Sequence, residues 1–122
     1  MKYLRVYTDP SGETHFEDLD TALALVDYAP PAPPLYASSF NPALQYGFIR
    51  IPAGWQGDWH PVARRQMHFY LTGEIEAQVS DGEVRHAEPG TVALVEDTTG
   101  KGHTSRVTST DDVTIAVVLL PE

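Results

Sequence analysis

"RQMHFYLTGEIEAQVSDGEVRHAEPGT", Arg65 to Thr91, contains three short runs divided by Thr72-Gly73-Glu74, by Ser80-Asp81-Gly82-Glu83 and by a closing Glu88-Pro89-Gly90-Thr91. Glycine and proline interrupt it too often for helices, whose typical length is about 11 residues, so the runs are strands joined by tight turns. Alternation along the first run places Gln66, His68 and Tyr70 on one face and Met67, Phe69 and Leu71 on the other. The second set is also apolar, which predicts a sheet covered on both faces.

The same pattern extends both ways. "LQYGFIRI" precedes this stretch, and "TVALVED", "HTSRVTS" and "VTIAVVLL" follow it, with turns at "TTGKG" and "STDD". Near the start, "KYLRVYT" and "ETHFEDL" flank "DPSG", a type I turn sequence, and form an opening hairpin. "DTALALVDY" is read as a strand because it lacks a clean 3.6-residue apolar stripe. The four prolines of "APPAPPLYA" keep that run out of a sheet interior and predict an extended strap over the surface. Its place between two strands argues against a ligand for proline-binding domains. Short strands with regular turns, no internal repeat and no linker indicate one all-β domain, a sandwich or barrel.

Composition narrows the function classes. Lys and Arg number 8 against 17 Asp and Glu, and the net charge of -9 disfavours nucleic acid and membrane partners. The opening "MKYLRVYTDPSG" lacks the apolar core of a signal peptide, and no apolar run approaches the ~20 residues of a bilayer span, so a cytoplasmic location is expected. Without cysteine, the chain must work with imidazole and oxygen chemistry.

A strand, a glycine turn at Gly73, a further hairpin, then Pro89-Gly90 with His103 thirteen residues on resembles the cupin layout from Leu44 to Leu120. The resemblance implies a double-stranded β-helix, or jelly-roll barrel, as one domain over 1–122. Residues 1–43 would supply N-terminal strands and the proline strap, and 44–120 the barrel core. Reading back from Gly73, Gln66 occupies the position of the first motif's glutamate, Val62 that of its second histidine and His60 that of its first. The motif's opening glycine is displaced to Gly54 or Gly57, and Val107 stands where the second motif ends in asparagine.

By that resemblance His60, Gln66 and His103 face the barrel mouth, and alternation adds His68 and Tyr70 to the same pocket. A divalent metal, whether zinc, manganese, iron or nickel, would rest on His60, Gln66 and His103. The set is sparse, because Val62 has no donor and an amide carries no charge, so the metal would be weakly held or absent. His68 is read as a barrel-lining histidine. Arg64 and Arg65 form the chain's only basic doublet, and Arg64 is taken as a rim anchor for an anion. Lys101 follows a glycine, but the phosphate-loop pattern around it is incomplete. Trp55 and Trp59 are expected to pack structurally. Glu96 and Asp97 are assigned to a solvated turn, and His15 and His86 to the solvated face.

The leading functional expectation is a cupin barrel that binds a small polar organic molecule and acts on it by metal-assisted or acid-base isomerase, lyase or oxygenase chemistry. The alternative is a metal-free, non-catalytic ligand-binding or sensor module. The two-sided apolar strand and the run "VTIAVVLL" call for a homodimer.

Overall fold

Asp9 turns the chain at its first hairpin: its Oδ1 accepts from the backbone N–H of Ser11 at 2.9 Å and of Glu13 at 3.1 Å. The hairpin joins β1 (Lys2–Thr8) to β2 (Thr14–Asp20) in a computed structural model that describes all 122 residues. Ten further strands follow: β3 (Ala24–Val26), β4 (Leu35–Ala37), β5 (Gln45–Ile51), β6 (Gln56–His60), β7 (Gln66–Thr72), β8 (Ile75–Val79), β9 (Val84–Ala87), β10 (Val92–Val95), β11 (His103–Val107) and β12 (Val113–Leu119). No helix is long and apolar enough to cross a membrane.

Two sheets make the body. One has the order β2-β1-β10-β7-β12-β5 and the other β6-β11-β8-β9, while β3 and β4 pair only with each other. Every pairing is antiparallel except β1 with β10, where Leu4 lies beside Ala93 and Val6 beside Val95. Side chains alternating off each strand fill the space between the sheets. Val113, Ile115 and Val117 of β12 join Ile75, Ala87 and Val107 in one buried cluster, and Val6, Phe16, Val79, Ala93 and Val95 form a second. Burying each Val or Ile contributes about 1.5–3 kcal/mol relative to exposure. Tyr70 packs against both clusters and links them.

Three expectations change. The barrel is not confined to residues 44–120, because β1 is an inner strand of the larger sheet and Val6 and Phe16 belong to the core. The proline run does not lie flat as a strap. It forms the tip of the β3–β4 hairpin, with Ala32 N–H bonded to the Ala29 carbonyl at 2.9 Å, and residues 22–36 are exposed throughout. Finally, "QGDWH" is a strand, β6, which its glycine and polar residues did not suggest; it is held by register with β11.

The tips of two hairpins are joined through His15. Its Nε2 meets Asp9 and its Nδ1 meets Asp81, each at 2.7 Å. Hydrogen bonds to Asp9 and Asp81 raise the His15 pKa above its ordinary value. A raised folded-state value means the stabilisation is complete below about pH 6.5, the unfolded value, and is lost as pH rises through the folded one. His15→Gln is therefore expected to destabilise the protein more at pH 6 than at pH 9, as read by urea denaturation at both values.

Candidate functional site

Between the sheets lies a cavity of about 430 Å³. Strand alternation on β7 delivers Gln66, His68 and Tyr70 to its wall, and the end of β6 and the start of β11 add His60 and His103. Most of the remaining wall is apolar, including Leu4, Phe16, Ile51, Val62 and Trp55. Polar chemistry is gathered around the imidazoles, with Arg85 and His86 entering separately from β9.

His60 and His103 are register partners across β6 and β11, and their ring centroids are 4.9 Å apart. Gly102 makes this approach possible. Its φ is +73°, and an added Cβ would collide with the backbone carbonyl of His60. The Gly102 carbonyl is in turn held by the hydroxyl of Thr14, a fully buried residue, at 2.7 Å.

Asp97 is also fully buried, and its Oδ2 lies 2.6 Å from His103 Nδ1. A carboxylate only accepts, so His103 donates from Nδ1 and presents the lone pair of Nε2. His60 donates from Nδ1 to the Asp58 carbonyl at 2.8 Å, which leaves its Nε2 as an acceptor too. Gln66 donates from Nε2 to the Arg64 carbonyl at 3.0 Å and accepts from His68 Nε2 at 2.8 Å. His68 Nδ1 and Asp97 Oδ1 are consequently buried acceptors with no partner in the protein. Burial, reinforced by repulsion from His103 and opposed by Asp97, lowers the His68 pKa to about 4, so this imidazole is neutral at pH 7. Burial pushes the Tyr70 phenol up to about 12 and keeps it a donor.

Asp97 is the functional candidate that the sequence misplaced. "EDTTG" has the composition of a solvated turn, yet Asp97 is sealed beneath His103 and its carbonyl accepts from Val62 N–H at 3.1 Å. An acid six residues before a motif histidine, across a glycine turn, was the available signal. Its neighbour Glu96 is not a solvated turn residue either. It is clamped by Arg5 at 2.7 Å and Arg65 at 2.6 Å; burial works to raise its pKa, but the hydrogen bonds and charges of the two arginines together lower it. Arg64 is not at the cavity: it reaches toward the Leu120 carbonyl, because residues 63–65 precede β7 and escape its alternation. Both tryptophans are exposed, but Trp55 also lines the cavity and covers Gly57 so closely that a Cβ there would strike its ring, whereas Trp59 does not line the cavity. Lys101 pairs with Glu13. Although His86 is exposed and paired with Glu74, it also borders the cavity.

The metal set expected from His60, Gln66 and His103 does not fit a resident ion. Of the expected ligands only His60 and His103 stand side by side, with ring centroids 4.9 Å apart; the Gln66 oxygen accepts from His68, and Val62 offers no donor. No group of three His, Asp or Glu side chains is placed to hold a metal.

No family model matches the chain, and no curated protein matches it. Solved structures do resemble it in fold. An RmlC-like cupin with a double-stranded β-helix from Methanocaldococcus jannaschii aligns with 95% of this chain and 88% of its own at TM-score 0.54 and 14% identity. A Cupin 2 conserved barrel domain protein from Salinispora arenicola aligns with 84% and 79% at TM-score 0.53 and 18% identity. The Cnp3 cupin domain of Schizosaccharomyces pombe aligns with 88% and 73% at TM-score 0.52 and 14% identity. Two facing sheets, the glycine turns and these structural matches agree: the chain has the same fold as these cupins, a double-stranded β-helix barrel.

Proposed function

We propose that the cavity binds a largely apolar organic molecule with one proton-bearing polar end, and that His103, backed by Asp97, withdraws that proton without a metal. The observation that carries this reading is the 2.6 Å hydrogen bond between a fully buried carboxylate and a cavity-lining imidazole. Asp97 fixes the tautomer and orientation of His103 and stabilises its cation once a proton arrives. His60 Nε2 and His68 Nδ1 are further acceptors, so this end of the cavity suits a donor such as a hydroxyl or an acidified C–H. Tyr70 supplies a donor for an oxygen that gains charge as the proton leaves. The apolar wall binds the rest of the molecule and narrows the sequence-based expectation of a polar substrate to an amphipathic one.

Phenylacetone, an apolar ketone with exchangeable α-hydrogens, is a direct probe. The wild-type protein is expected to accelerate deuterium uptake at the α-carbon in D2O, followed by NMR. Asp97→Asn, which removes the charge behind His103, and His103→Gln should each reduce the rate by about 100-fold or more, the usual scale for losing a positioned base. Binding of the ketone, seen as a rise in melting temperature, should survive Asp97→Asn. Binding without any exchange would replace the acid-base reading with that of a non-catalytic binder. Exchange unchanged in both variants would remove His103 and Asp97 from the chemistry.

A further inference from the structure

We infer that the imidazole end of the cavity recognises a primary ammonium group, so that the ligand class is an amine carrying one apolar arm. The inference rests on the reading of this cavity as a small-molecule site and deepens it, adding the charge and the donor geometry of the ligand's polar end.

Charge comes first. The Asp97 side chain is fully buried and has one hydrogen-bond partner, the His103 imidazole, while its Oδ1 has none. A buried carboxylate is costly unless a cation and further hydrogen bonds offset it. The protein's own cations are committed elsewhere. Arg5 and Arg65 both hold Glu96. Arg85 is the only Lys or Arg that lines the cavity, and it is bound by Asp18 at 2.9 and 3.3 Å and by Glu83. A ligand carboxylate or phosphate would therefore meet no unpaired guanidinium or ammonium in this wall, whereas a ligand cation seated against His103 would offset the charge behind the ring.

The donor geometry narrows the cation. His60 and His103 give their Nδ1 hydrogens to the Asp58 carbonyl and to Asp97, so each keeps an Nε2 lone pair. Their rings, with centroids 4.9 Å apart, are inclined at 53°. Acceptors on inclined rings suit a tetrahedral donor, which directs its hydrogens apart, better than a planar guanidinium, whose hydrogens lie in one plane. A quaternary ammonium has no N–H to give. His68 adds no donor, because its N–H goes to Gln66 and its Nδ1 is an acceptor without a partner. A primary amine is protonated at pH 7 and brings three N–H groups with one positive charge, which this end of the cavity lacks. Phe16, Ile51, Val62 and Trp55 then receive the apolar arm, in a cavity of about 430 Å³.

Three molecules with the same phenyl arm test the charge: 2-phenylethylamine, 2-phenylethanol and phenylacetate, each titrated calorimetrically into the full chain at pH 7. The amine is expected to bind at least about tenfold more tightly than the alcohol, and phenylacetate not to bind. Asp97→Asn should erase the amine's advantage and leave the affinity for the alcohol unchanged. Should that variant fail to fold, His60→Leu, at an exposed position, removes one acceptor instead and should weaken amine binding by about tenfold, the scale of one hydrogen bond to a charged group. Equal affinities for amine and alcohol, or a preference for phenylacetate, would overturn the inference. So would amine binding that is unchanged in both variants. Phenylacetone is the reference: a protein that binds the ketone but not the amine keeps the general reading of the cavity and loses this one, whereas a protein that binds none of the four loses both.

Discussion

Replacing Gly102 with alanine is expected to cost about 3 kcal/mol and to separate His60 from His103. Two costs combine. A residue with a Cβ at φ +73° pays about 1–2 kcal/mol for the left-handed conformation, and the new methyl group is driven into the His60 carbonyl and Pro61 nitrogen, an overpacking cost of about 1–3 kcal/mol. The obstacle is backbone on both sides, so no side-chain rotation relieves it. Backbone movement at 102 would also strain the bond from Thr14. Calorimetry should show a fall in melting temperature of roughly 10 °C for a domain of this size. Gly82→Ala is the control: its φ is +98° but open space surrounds it, so only the conformational cost of about 1–2 kcal/mol applies. Equal losses in the two variants would show that β6 yields to the methyl group and that Gly102 does not set the distance between the imidazoles.

His68 should make the protein acid-sensitive. The unfolded chain takes up a proton on this histidine near pH 6.5, whereas the folded protein resists until about pH 4. Between those values the unfolded state binds more protons, so stability falls as pH falls. Full stabilisation is present above pH 6.5; ~2.5 pKa units at ~1.4 kcal/mol each give a full loss of about 3.5 kcal/mol, of which about 3 kcal/mol is reached at pH 4, where the folded group is half protonated. Paired carboxylates such as Glu96 also lose their contribution in acid, so the measurement must be a difference. His68→Leu removes the titrating group while keeping the site filled. Urea denaturation should show the wild type losing about 3 kcal/mol more than His68→Leu between pH 7 and pH 4. Parallel losses would mean that His68 is hydrated or protonated in the folded protein.

The fold was legible because its determinants are local. Alternation in "QMHFY" and the turns at Gly73, Gly82 and Gly90 set strand positions without reference to distant residues, and β7 presents Gln66, His68 and Tyr70 together as that alternation requires. The site was legible only in outline. His60 and His103 meet because β6 pairs with β11, but "QGDWH" has weak strand propensity and is ordered by its partner. Asp97 looked solvated because its burial comes from His103 and from Val62, neither of which is its sequence neighbour. The occupation of the Gln66 oxygen by His68 is likewise a tertiary fact, and it is what takes Gln66 out of the expected metal set.

The parallel pairing of β1 with β10 bears on the order in which the chain acquires its structure. Residues 4–6 are made early in synthesis but have no inner-sheet neighbour until residues 93–95 exist. Closing so large a loop requires an entropy loss before any contact rewards it, and contacts of this sequence separation slow folding. The β1–β2 hairpin can form locally, yet Val6 and Phe16 reach their core only when β10 arrives. During translation these side chains and the apolar β3–β4 hairpin wait together without cover, so the nascent chain is most prone to aggregate before its last third is complete.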